Sequence, residues 1–308
     1  MTIDPLRLIA FPGAPNLPIF VAMERGYFEA AGVNVLLETT PSSSYQAESL
    51  IKGAFQIGAT AFDNVVAYQE GQGAVSFEES PDLFAFMGAT QLELSLVVAP
   101  EIESFNDLHG KSLALDALAT GFAFVLYRML EKAGLSEDDY KKVPVGATPQ
   151  RWESVKAGEH AGTLTIEPFT SVAIANGFRV LANSRSVLKR YQGGVFVVSR
   201  NWAFSHSDSL IAFIRGYLEG LAWTLEPNNY DEAVVTLQKN MPAIKDGVVD
   251  AVMAKLLSPE TGLTPLAALD GLGMKTVLDL RNCYMQTEEA LRNIDRYIDL
   301  TYYNRAIT

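Results

Sequence analysis

The first 60 residues confine this chain to a small set of architectures. The spacing of apolar residues predicts strands over 6–11, 33–39 and 55–60, with one helix over 17–28 and another after the polar run Ser42, Ser43 and Ser44. That is a βαβαβ unit. Parallel strands need crossover connections of fixed hand, which gather loops and helix starts at the carboxyl edge of the sheet, where ligands bind. Three loops converge on one place.

The alternation continues well past residue 60. A helix is predicted over 63–71, a strand over 83–88, and a longer strand over 92–99. A strand over 111–115 enters a helix over 120–132, which Ala133 and Gly134 end. Further strands are predicted over 140–145, 162–166 and 178–181, separated by helices starting near Pro149 and Pro168, where proline in the first turn costs little. A β-rich run over 193–199 follows. From Asn201 the pattern turns helical, with apolar residues at 210, 213, 214, 217, 218 and 221, the spacing of one buried face. A final helix is predicted over 288–301, behind Thr287 as N-cap.

A length of 308 residues suggests two domains, and there is no repeat, low-complexity segment or Ser/Pro-rich linker to string them in series. The expected architecture is therefore a nested, two-lobed α/β fold. Residues 1–91 and 195–308 form one lobe, 92–194 form the other, and strands near 92–99 and 194–199 make the two crossings. The ligand cleft lies between the lobes.

Composition narrows the partners. With 48% hydrophobic and 19% charged residues the chain is a folded globular protein. A net charge of −12 disfavours nucleic acid and anionic membrane, and leaves a small molecule as the expected partner. The single cysteine, Cys283, excludes an intramolecular disulfide and a thiolate metal cluster, and reads as a buried small hydrophobe. No segment approaches the ~18 apolar residues of a membrane span, so no direct membrane insertion is expected. The N-terminus has no signal-peptide pattern. The expected location is periplasmic where a signal has been removed and cytoplasmic otherwise.

Several stretches resemble a known family. These are residues 17–35 (LPIFVAMERGYFEAAGVNV), 55–60 (FQIGAT), 108–116 (LHGKSLALD), 175–182 (ANGFRVLA) and 195–202 (VFVVSRNW). Together they resemble the substrate-binding proteins of ABC importers, in the branch for nitrate, sulfonate, taurine and thiamine precursors (NMT1-like). The resemblance implies a type II periplasmic-binding-protein fold, capture of a small organic molecule by lobe closure, and delivery to an ABC permease. It also implies ligand contacts from Phe11 and Asn16, from Ser43, Ser44 and Tyr45, and from Phe62, Asp63 and Asn64 in the first lobe. The second lobe would add Asp116, Thr120, Gly121, Phe122, Glu167 and Phe169, with Tyr191 and Gln192 beside a hinge strand.

The same residues have structural readings. Ser42 to Ser44, Thr120 and Asp116 read equally as helix caps, Tyr45 and Phe62 as core, and Glu167 as a solvated or hinge-locking carboxylate. The inferred cleft loops contain Asp63, Asp116 and Glu167 but no Lys or Arg, which points to a neutral or amine-bearing ligand with an aromatic or heterocyclic part. The alternative is a cytoplasmic enzyme on the same fold, of the pyrimidine-precursor synthase, decarboxylase or dehydratase type. No cofactor or metal motif is present, and His109, His160 and His206 all read as surface residues.

Overall fold

The computed structural model describes residues 5–78, 81–285 and 289–308. Its ten strands are β1 (Leu6–Ala10), β2 (Val35–Thr39), β3 (Ile57–Ala61), β4 (Leu83–Thr90), β5 (Ser95–Val98), β6 (Ser112–Leu115), β7 (Lys141–Pro144), β8 (Gly162–Thr165), β9 (Arg179–Asn183) and β10 (Gly194–Ser199). They form two five-stranded sheets of matching design. One has the order β2-β1-β3-β10-β4, the other β7-β6-β8-β5-β9. Each holds three parallel strands from βα units and then one antiparallel strand, β10 or β5, which has just arrived from the other sheet. The chain passes from β4 to β5 through residues 91–94 and from β9 to β10 through 184–193.

Local chemistry sets the boundaries. The helix expected over 17–28 is broken into Leu17–Glu24 and Tyr27–Ala31, because Gly26 adopts the left-handed conformation (φ 69°). The long strand expected over 92–99 is only β5, since Leu92 also has positive φ (55°) and ends the extended run before it. The helix Ser207–Leu225 buries Leu210, Phe213, Ile214, Tyr217 and Leu221 against the first sheet, and Phe213 stacks on Phe28 at 5.3 Å. The helix Leu17–Glu24 crosses it closely enough that a Cβ on Gly220 would lie 2.4 Å from the Pro18 carbonyl oxygen.

The final helix expected over 288–301 is not formed. Residues 294–297 make one 3-10 turn, and the last helix is Thr301–Ile307; Thr287 and Glu288 lie outside the described residues. Tertiary pairing overrides the apolar spacing here. The Asn282 amide donates to the Leu291 carbonyl at 2.9 Å and accepts from the Leu291 N–H at 2.8 Å, while Ile298 pairs with Ala85 beside β4. Cys283 is exposed rather than buried. Its helix, Gly271–Tyr284, turns Met274, Val277, Leu278 and Arg281 inward, and position 283 falls off that face.

One cluster of buried side chains spans both sheets. It runs from Ile9 and Phe62 through Leu96, Phe124 and Leu164, and includes Met274, Val277 and Leu278 of the helix Gly271–Tyr284. No helix among the described residues is long and apolar enough to cross a membrane.

Candidate functional site

A cavity of about 100 Å³ lies between the sheets at the carboxyl edges of β1, β3 and β6. Of the residues the sequence pointed to, it brings together Phe11, Asn16, Asn64, Asp116, Thr120, Gly121 and Phe122. The Asn16 amide donates to the Phe11 carbonyl at 2.8 Å and fixes the loop after β1, and the Asn64 amide donates to the Thr60 hydroxyl at 2.8 Å. Thr120 caps the helix Gly121–Lys132 by accepting from the Ala123 N–H.

Two carboxylates reach across the cleft in opposite directions. Asp63, at the start of the helix Phe62–Gln69, accepts from the Gly121 N–H at 2.6 Å. Asp116, after β6, accepts from the Ser43 N–H at 3.1 Å, at the start of the helix Ser43–Ile51. Each side thus satisfies a free helix N–H of the other. Two backbone bonds reinforce this, from the Ala14 N–H to the Glu167 carbonyl at 3.0 Å and from the Ala147 N–H to the Pro41 carbonyl at 2.9 Å. These contacts draw the two sides together over the cavity.

The other residues named from sequence sit elsewhere. Asp63 is buried in an ion pair with Arg281, whose Nε and Nη2 donate to its two oxygens at 3.0 and 2.7 Å. Arg281 also donates to Gln72 and to the Ala119 carbonyl. Ser43 is buried beside a separate small cavity, Ser44 is half-buried, and Tyr45 is exposed. Phe62 belongs to the core, edge-on to Tyr297. Phe169 packs beside Trp152.

Tyr191 is buried near Asp63 with its hydroxyl unpartnered; burial, with the Asp63 charge adding to it, pushes that phenol well above its ordinary range. Gln192 ties the second passage down. Its amide donates to the Gly194 and Thr90 carbonyls and its oxygen accepts from the Asp270 N–H.

Glu167 lines a smaller neighbouring cavity with Glu93 and Lys255, away from Asp116, so the two carboxylates do not make an acid–base pair across one site. Burial raises the Glu167 carboxyl, against the Ser171 hydrogen bonds that lower it.

The cavity wall is not free of Lys and Arg, as the cleft loops alone suggested: it carries an arginine. Arg151 lies on the helix Thr148–Lys156 and is 2% exposed. Burial pushes its guanidinium down to about 10, opposed by the Asp116 charge, which leaves it cationic at neutral pH. Position 151 shares the spacing of Thr148, Trp152 and Val155, the buried face of that helix, and this periodicity was the available signal. Thr60, Thr90 and Thr148 also line the wall and were not anticipated. Among the described residues no cluster of His, Cys, Asp and Glu has the form of a metal site.

Two matching five-stranded α/β sheets, connected by two passages and enclosing a cavity, define the periplasmic-binding-protein fold. The chain belongs to the family described as NMT1/THI5 like, which it matches over residues 15–233. A solved structure from Bordetella bronchiseptica RB50 is similar, with 17% identity and a TM-score of 0.81, covering 99% of this chain and 98% of that one. The alkanesulfonate-binding protein SsuA from Xanthomonas axonopodis pv. citri, solved with MOPS bound, is 18% identical with a TM-score of 0.69 and 92% coverage of both chains. The periplasmic nitrate-binding protein NrtA from Synechocystis PCC 6803 is 12% identical with a TM-score of 0.75, over 99% of this chain and 88% of that one. At these identities the likeness speaks for the fold. No curated protein sequence matches the chain.

Proposed function

We propose that this protein is the solute-binding component of an ABC importer, which captures a small organic molecule between its lobes and presents the closed form to a permease. The observation that carries the reading is the pair of reciprocal contacts, Asp63 to the Gly121 N–H and Asp116 to the Ser43 N–H, flanking a cavity with apolar walls. Such contacts exist only when the sides meet, so a solute that adds contacts to both sides shifts the population toward closure. The family and the sulfonate- and nitrate-binding neighbours support the same reading. On it, the protein works outside the inner membrane.

The test is to denature freshly purified protein, identify the released solute by mass spectrometry, and return it to ligand-free protein. Recovery of the unchanged solute at one per chain supports capture. Conversion to product beyond that stoichiometry makes the protein an enzyme on the same fold.

A further inference from the structure

The chain passes between the sheets twice, and the two passages touch. A Cβ on Gly193, in the second passage, would lie 2.5 Å from the Leu92 Cβ and 2.6 Å from its Cγ, so Leu92 of the first passage is seated directly on that glycine. The same leucine borders the cavity between the sheets and also the smaller cavity that holds Glu93, Glu167 and Lys255. Leu92 therefore belongs at once to the contact between the passages and to the wall that a solute meets.

Anchors on either side isolate it. Before it, the Gln91 N–H donates to the Gly262 carbonyl at 3.1 Å and Thr90 pairs with Leu263, which fixes the chain at the end of β4. After it, the Ser184 N–H donates to the Leu94 carbonyl at 2.7 Å and the Ser184 hydroxyl accepts from the Leu94 N–H at 3.1 Å, which fixes the chain at the start of β5. Between these anchors the backbone groups of Leu92 and Glu93 make no hydrogen bond with the described residues. A rotation there breaks no backbone hydrogen bond.

Leu92 also holds φ 55°, in the left-handed region where a Cβ crowds the following carbonyl oxygen. A leucine keeps that conformation only where its surroundings over-determine it. What packs on this one is the Gly193 seat and whatever fills the cavity.

Resting on the solute-binding reading, we infer that Leu92 is a strained hinge. Its left-handed backbone belongs to the closed arrangement and relaxes to an extended conformation when the sides part. The strain favours the open form of the empty protein, and a solute lying against the Leu92 side chain offsets it. Leu92 is thus a positioning residue, which acts through the backbone of the first passage and recognises no chemical group of the solute.

Three substitutions separate backbone from side chain. Leu92→Gly removes the left-handed penalty together with the side chain, Leu92→Asn relieves part of the penalty and keeps a side chain of similar reach, and Leu92→Ala keeps the penalty without the side chain. Small-angle scattering of the full chain, freed of solute by unfolding and refolding, reads the closed fraction. That fraction is expected to rise about tenfold in Leu92→Gly, the scale set by the left-handed cost of a residue with a Cβ, and by less in Leu92→Asn. Both variants then have a smaller radius of gyration than the parent, while Leu92→Ala is as open as the parent. Should Leu92→Gly fail to fold, Leu92→Asn decides. Equal radii in all four proteins overturn the hinge even where the urea midpoint moves, because a merely strained turn changes stability and not closure. An alanine variant as compact as the glycine one overturns it too, since the backbone is then not the cause. The parent's radius is expected to grow when the solute it was purified with is removed. A radius unchanged by that removal overturns lobe closure itself, and the hinge with it.

Discussion

At the scale of single residues, the molecule's most consequential polar contact is Asp63 with Arg281. Both are buried, so removing either partner leaves an uncompensated charge in the interior. Arg281→Met or Asp63→Asn alone is expected to destabilise by about 3–5 kcal/mol, and the double substitution by less than the sum, read by urea unfolding. Additive losses would show that the two do not depend on each other. Glu167 behaves differently, because burial favours its protonated form. The folded protein binds this proton more tightly than the unfolded chain does, so the group's contribution is full at low pH. It is lost as pH rises through the raised value. Glu167→Gln keeps an acceptor for the Ser171 N–H and has no charge to bury. It is expected to melt above the parent protein at about pH 8 and level with it at about pH 4. The same difference at both values would place its origin in packing.

At the scale of elements, the helix Gly121–Lys132 shows why a glycine stands at its first position. A Cβ there would lie 2.6 Å from both the Asp63 Cβ and the Tyr191 hydroxyl oxygen. Gly121→Ala would therefore push the second sheet's helix away from the first sheet's. It is expected to weaken solute binding and also to lower the urea midpoint, because Asp63, which the new atom displaces, holds the buried Arg281; unchanged affinity would show that the cleft tolerates the extra atom. The sequence made this position legible: a strand end, a hydroxyl cap and a glycine mark a helix start at a sheet edge. By the same logic Asn64, Asp116 and Thr120 could be placed. What escaped was decided by partners far along the chain. Arg151 and Arg281 look like ordinary surface charges until their faces are counted, and the turn at 294–297 replaces a helix because Asn282 and Ala85 claim its backbone and neighbours. The break after Glu24 was only half legible, since Gly26 could equally have ended one longer helix.

At the scale of the whole molecule, the proposed closure would be a balance between solute contacts and whatever already holds the two sides together. The helix Gly271–Tyr284 belongs to the C-terminal tail yet packs on both, against Phe62–Gln69 and against Gly121–Lys132. Its Tyr284 stacks on Phe124 at 5.5 Å and donates to Glu131 at 2.7 Å, while Arg281 bonds the Ala119 carbonyl. If these contacts form only in the closed arrangement, they lower the cost of closing before any solute arrives. An aromatic pair and a hydrogen bond to a charged group together contribute on the order of 2 kcal/mol. Tyr284→Ala should therefore raise the radius of gyration of the solute-free protein in small-angle scattering. It should also weaken solute binding by about tenfold, because affinity scales with the population of the competent form. Saturating solute should return the scattering curve to that of the parent. Should radius and affinity both stay unchanged, the Tyr284 contacts do not bias closure, and the balance is set by the contacts across the cavity instead.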